Sequence, residues 1–230
     1  MKKTAMILAL IGALGMMSAA QATLFTRPGG MVYDDVLNIT WLQNANLAAT
    51  NTFGVSGIYP EGLMTWNTAK SWVKAMNTAD YQGFNDWRLA SISVSAGLPT
   101  VTILNPVYCN SDTATEAQCQ DNELGYMYYY TLKTIAGINK TGTQTVGAVT
   151  LTNIQTLYCS GTDFPNGTQI WAFVFITGNQ GSSEKDDLFY AWAVRPGDVA
   201  SAAVPEPATA LLFGVGAVGL GLSRRWSRQR

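Results

Sequence analysis

Few side chains in this 230-residue chain could carry out chemistry, and none of them is a histidine. That excludes Ser-His and Cys-His nucleophilic pairs, imidazole metal ligands and imidazole acid/base work. Carboxylates remain. Asp86 and Glu123 are the nearest candidates for a pair of glycosidase type, although sequence separation assigns no such pair. Glu184-Lys185-Asp186-Asp187, near Asn179, offers oxygen ligands of the kind Ca²⁺ takes, yet no twelve-residue EF-hand loop surrounds them. A solvated turn is the plainer reading, so no cofactor is expected, with calcium as the one ion the residue types would suit.

Three cysteines allow one disulfide and one leftover thiol. Cys109 and Cys119 flank the polar stretch 110–118 and are the favoured pair in an oxidising compartment. Closing a loop of that size contributes on the order of 2–3 kcal/mol. Cys159 is then a buried thiol acting as a small hydrophobe. The alternative, a redox pair, lacks a Cys-x-x-Cys spacing or a basic neighbour to activate a thiol. Arg88 and Arg195 each follow a tryptophan-containing element and need partners; Asp34, Asp35, Asp86 and Asp198 are the candidates. In Gly125-Tyr126-Met127-Tyr128-Tyr129-Tyr130, a helix would put Tyr126 and Tyr130 on one face with Tyr129 beside them. Core packing is the plain account of these rings. Stacking of Tyr126, Tyr129 and Tyr130 on a ligand's sugar rings is the sharper one.

Elements must position these groups. Apolar residues make up 47% of the chain and charged residues only 13%, which favours an uncharged, turn-rich surface over a disordered chain. Met31–Leu42 reads as strand, turn at Asp34-Asp35, strand. The polar, glycine-punctuated residues from Asn44 to Gly62 read as a loop. Thr65 caps a helix from Trp66 to about Asn77, with Trp66, Ala69, Val73 and Met76 at helical spacing. Asp121 or Asn122 caps a second helix containing Leu124, Met127, Tyr128 and Leu132. Trp87-Arg88-Leu89 is a short apolar element. Ile170–Thr177 reads as a buried strand, Gly178-Asn179-Gln180-Gly181 as a hairpin turn and Leu188–Val194 as the partner strand. Helices early and antiparallel strands late predict an α+β domain.

The two ends read as addresses. Residues 1–22 form a secretory signal peptide: Lys2 and Lys3, an apolar run from Ala5 to Met17, and the small-x-small site Ala20-Gln21-Ala22. After a short linker (199–203), residues 204–230 hold Pro205-Glu206-Pro207, the apolar or glycine run 208–222, and an arginine cluster that includes Arg224 and Arg225. As a helix that run spans roughly 22 Å, marginal for a bilayer of about 30 Å, and the arginines would keep its end cytoplasmic. Removing Lys2, Lys3 and the four terminal arginines leaves eight basic residues, and removing Glu206 leaves fourteen acids. The body between is therefore acidic, at about −6, and offers no basic face for nucleic acid.

The tail closely resembles the PEP-CTERM sorting signal of Gram-negative bacteria. The N-terminal signal implies processing by signal peptidase, and the tail's resemblance implies an exosortase that cuts near Pro205–Pro207. It implies export through the inner membrane, a transient membrane-anchored precursor, and release to the cell surface or extracellular matrix, where exopolysaccharide is the expected partner. A permanent single-pass anchor is the alternative.

The body carries a second resemblance. Val32-Tyr33-Asp34-Asp35-Val36-Leu37-Asn38-Ile39-Thr40-Trp41-Leu42, Met64-Thr65-Trp66-Asn67-Thr68-Ala69, Asp86-Trp87-Arg88-Leu89, Glu123-Leu124-Gly125 and Tyr190–Asp198 look like the Lcl C-terminal domain family. The likeness runs from about Met31 to Asp198, within a domain spanning 23–198. It implies a C-type-lectin-like fold and a binding module; the family's best-known member looks like a sulfated-glycan adhesin, a mode the acidic body here disfavours. The sequence departs from the family pattern at Ala90-Ser91, where Pro-Thr is usual, and at Cys159, where an aromatic is usual. The lectin-type Glu-Pro-Asn is absent. The expected function is a non-catalytic polysaccharide or biofilm-matrix binding module, against a structural envelope protein without a ligand, and against a secreted enzyme, which the lack of histidine disfavours.

Overall fold

The computed structural model describes residues 23–92, 107–110, 112–113, 117–120 and 122–199. The signal peptide, the run 208–222 and the processing residues Ala20, Ala22, Pro205, Glu206, Pro207, Arg224 and Arg225 lie outside them. Among the described residues no helix is long and apolar enough to cross a membrane.

Among the described residues, three antiparallel sheets and two principal helical segments make an α+β arrangement. Strands β1 (Leu24–Arg27), β2 (Met31–Asp34), β3 (Ile39–Leu42), β4 (Arg88–Leu89) and β10 (Ala193–Pro196) form a five-stranded sheet in the order β1-β2-β3-β10-β4. The last strand thus sits between β3 and β4, pairing Val194 with both Trp41 and Arg88. Strands β5 (Gly142–Val146) and β6 (Val149–Ile154) form a ribbon. Strands β7 (Leu157–Asp163), β8 (Gln169–Val174) and β9 (Asn179–Glu184) form the third sheet.

The β2–β3 hairpin and the buried β8 follow the sequence pattern, but the partner of β8 does not. β9 pairs along its whole length with β8, from Gln169 opposite Glu184 to Val174 opposite Asn179, and the turn falls at 175–178. The expected partner, Leu188–Val194, instead leads into β10 of the other sheet. Asn-Gln-Gly-Ser-Ser-Glu lacks an apolar alternation because main-chain hydrogen bonds hold this strand, whereas side-chain burial dominates the neighbouring apolar run.

Helix α1 (Trp66–Thr78) begins at Thr65, whose Oγ1 accepts from the Thr68 N–H at 3.4 Å. Its buried face is Trp66, Ala69, Trp72, Val73 and Met76, while Lys70, Ser71 and Lys74 face outward. It stops at Asp80, which takes a left-handed conformation at φ +44°. Two indoles fasten it across the domain: Trp72 donates to the Asn51 carbonyl and Trp66 to the Ser160 carbonyl, each at 2.9 Å.

The second helical segment follows a short helix α2 (Ala117–Gln120). It comprises α3 (Glu123–Tyr126), capped by Asn122 through Gly125 N–H at 2.8 Å, and a π-helical turn over Met127–Thr131. Gly125 is required by contact: a Cβ there would lie 2.2 Å from the Cys119 carbonyl oxygen, a backbone atom that cannot swing away. Cys109 and Cys119 are disulfide-bonded, as the spacing predicts, and Cys109 also pairs in β fashion with Gln180. The bond joins the helical segment to the edge of the third sheet.

Candidate binding cleft

One open cleft on the described surface has a volume of about 640 Å³. It lies between the outer face of α1, strand β4 and the end of β7. Val73, Trp87 and Leu89 supply apolar wall; Lys70, Arg88, Ser91, Glu123, Thr162 and Asp163 supply polar groups; Gly161 leaves an open stretch of backbone.

Arg88 is placed by two devices. The Asn77 side chain brackets Trp87, donating to its carbonyl and accepting from its N–H, both at 2.8 Å, which fastens β4 to α1. Beyond Leu89 the chain continues against β7 through Gly161 N–H to the Ala90 carbonyl at 2.9 Å. The guanidinium then meets Glu123 in a bidentate pair, Nη1 donating to Oε2 at 2.7 Å and Nη2 to Oε1, while the Ser91 N–H also donates to Oε2 at 2.7 Å. Glu123 is buried and Arg88 is 40% exposed, so the pair forms the cleft floor with its cationic side toward solvent. Burial works against the Arg88 charge, and the hydrogen bonds and opposite charge of Glu123 outweigh it, holding the guanidinium above its usual range.

Opposite this floor, Asp163 pairs with Lys185 at 2.7 Å, and Lys185 also donates to the Gly167 carbonyl. The Lys185 and Lys70 ammonium groups lie 4.7 and 3.9 Å from the Trp66 ring centroid. Arg195 takes Asp86 in a second bidentate pair, at 2.7 and 2.9 Å, and stacks on Phe84.

Of the carboxylate partners expected for the arginines, Asp86 holds Arg195, but Arg88 takes Glu123, which spacing had not offered it. The structure also leaves Asp86 and Glu123 engaged by different arginines rather than facing each other as an acid/base pair. Among Glu184, Asp186 and Asp187, the Glu184 carboxylate accepts from Gln169 and Asp187 accepts from the Glu184 N–H. Among the described residues no three His, Cys, Asp or Glu side chains converge as a metal site.

None of the tyrosines of the run is among the residues lining the cleft. Tyr126 and Tyr129 are buried and Tyr130 half-buried. Tyr126 stacks on Tyr130 at 4.8 Å, and Tyr129 donates to the Gly178 carbonyl at 2.8 Å. Burial pushes the Tyr129 hydroxyl up to about 12, with Tyr128 adding to the shift. These rings pack as core, and Tyr126 and Tyr129 present no face to a sugar. Cys159 is a free, buried thiol, pushed up to about 12 by burial and so inert as a nucleophile.

The fold and cleft define an α+β domain with a polar, charge-paired groove. A family model for the Lcl C-terminal domain matches residues 30–195, and the chain belongs to that family. The PEP-CTERM protein-sorting motif matches residues 203–225, which marks the chain as an exported, exosortase-sorted surface or extracellular protein. No curated protein and no solved structure matches the chain.

Proposed function

We propose that the sorted body is a non-catalytic module that binds polysaccharide of the cell surface or biofilm matrix, on a fold of C-type-lectin-like type, after a transient stage as a membrane-anchored precursor. The cleft carries this reading. It is open, mixes apolar wall with donors and acceptors, and is built on groups already locked in place by ion pairs, so little ordering entropy is lost on binding. The engagement of Asp86 and Glu123 by arginines, and the inert state of Cys159, favour binding over turnover.

Retention of the full-length protein, in mild detergent, on a panel of immobilised neutral and acidic polysaccharides tests the reading. Retention on at least one polymer, weakened by substitution at Arg88, is the expected result. No retention on any polymer, with or without calcium, overturns it.

A further inference from the structure

We infer that the cleft selects neutral, hydroxyl-rich sugars over acidic polymers, a conclusion that rests on the polysaccharide reading and names its ligand class. The charges that line the cleft come in balance: Lys70 and Arg88 against Glu123 and Asp163. Glu123 closes the Nη1/Nη2 edge of Arg88, with Nη1 also shared with the Leu89 carbonyl at 3.2 Å. Asp163 is paired with Lys185, and Lys70 rests on the Trp66 ring. A ligand carboxylate or sulfate would therefore find only Lys70 among the lining cations without a carboxylate partner, would otherwise have to break an internal pair, and would approach a body carrying about −6.

A sugar hydroxyl meets no such cost, since it donates and accepts at once. Neighbouring hydroxyls on a ring can donate to a carboxylate oxygen and accept from a guanidinium N–H, adding to an ion pair without opening it. The Asp163 side chain is 59% exposed, and that of Arg88 40%, so both can reach a ligand while they keep their partners. Val73 and Leu89 line the cleft but are only 7% and 5% exposed, so recognition falls mainly to the polar groups. At Gly161 a Cβ would reach only ordinary contact with Leu89, at 3.4 Å from its carbonyl oxygen, so its absence widens the groove and no packing constraint demands it.

The test measures binding of the full-length protein to dextran, cellulose and mannan against alginate and heparin, at about 50 and about 500 mM NaCl, where screening lengths differ severalfold. Binding to one or more neutral polymers is expected, changing less than about twofold with salt, because no net charge is neutralised. Asp163→Asn removes an exposed carboxylate and releases Lys185; it should weaken neutral binding about fivefold or more and strengthen acidic binding. Arg88→Lys, which cannot form the fork, should weaken neutral binding while circular dichroism confirms folding. Binding to alginate or heparin alone, falling about tenfold or more with salt, overturns the selectivity and leaves the polysaccharide reading intact. Equal binding to both classes also overturns it. Binding to none removes the reading beneath it.

Discussion

The aromatic interior and the cleft floor hold the same domain together by opposite means. In the interior, rings touch in an unbroken series: Tyr129 on Tyr128 at 4.8 Å, Tyr128 on Phe175 at 5.7 Å, Phe175 on Tyr158 at 5.3 Å, Tyr158 on Trp192 at 5.6 Å and Trp192 on Trp41 at 4.7 Å. Their polar atoms are mostly answered by main-chain carbonyls, as with Trp192 on Leu42 at 2.8 Å and Tyr158 on Ala45 at 3.1 Å. At the cleft, stability and position come from discrete charge pairs. The contrast teaches a division of labour. Area removed from water is non-directional and tolerates many ligand-free surfaces, whereas a bidentate ion pair fixes the aim of individual donors.

The largest expected effect breaks the interior. Trp192→Ala removes a fully buried indole that touches Trp41, Tyr158 and Phe175, and should cost about 3–5 kcal/mol in urea unfolding. A loss as small as that of a surface residue would mean the ring series is not the principal core.

One carboxylate sits on the wrong side of this division. Asp34 is fully buried, accepting from the Val36 and Leu37 N–H groups at 3.1 and 3.0 Å and from the Thr131 hydroxyl, and no cation among the described residues pairs with it. Burial raises it from 3.8 to about 6, against the opposing pull of those hydrogen bonds. The folded state therefore holds the proton more tightly than the unfolded chain does. The resulting penalty is present above pH 6 and is relieved as the pH falls from 6 towards 4, amounting to at most about 3 kcal/mol. Unfolding midpoints at pH 7 and pH 5 should show the relief in the native protein and not in Asp34→Asn; identical pH profiles would contradict it.

Glu123→Gln opens the cleft floor. It leaves the partly buried Arg88 without a counter-charge and should cost about 2 kcal/mol, less than a fully buried pair because Arg88 is 40% exposed. Thermal unfolding measures the loss. The same substitution should alter polymer binding far more than Trp192→Phe does.

The smallest effect is expected at Arg27, whose pair with Asp198 at 2.7 Å ties β1 to the segment after β10. Both partners are close to solvent, so Arg27→Ala should cost below about 1 kcal/mol and be masked in high salt. A cost above that of Glu123→Gln would reverse the ranking of surface and cleft pairs.

Legibility in the sequence follows the range of the interactions. Helix α1 was readable because Thr65 and the Trp66–Met76 spacing act within a few residues. The cap of the second helix was narrowed to Asp121 or Asn122 for the same reason, and the fold places it at Asn122. The tyrosine run was only half readable. Tyr126 and Tyr130 do meet as an i, i+4 pair, but the π-helical turn shifts the register, with Leu132 N–H reaching the Met127 carbonyl, so Tyr128 and Tyr129 both face Phe173. Nothing in residue types announces a π turn. β9 escaped because its polar sequence carries no alternation, and Glu123 escaped as the partner of Arg88 because 35 positions separate them.

By itself, the sequence determined the absence of imidazole chemistry and pointed to the sorting tail, the Cys109–Cys119 pair, helix α1 and the family, because each depends on composition or on residues near one another along the chain. Tertiary structure alone decided that β10 lies between β3 and β4, that Arg88 closes on Glu123, and that the tyrosines face inward while the cleft faces out. Those outcomes depend on which distant segments share a surface, and a linear pattern of side chains leaves that choice to the balance of burial and charge pairing over the whole domain.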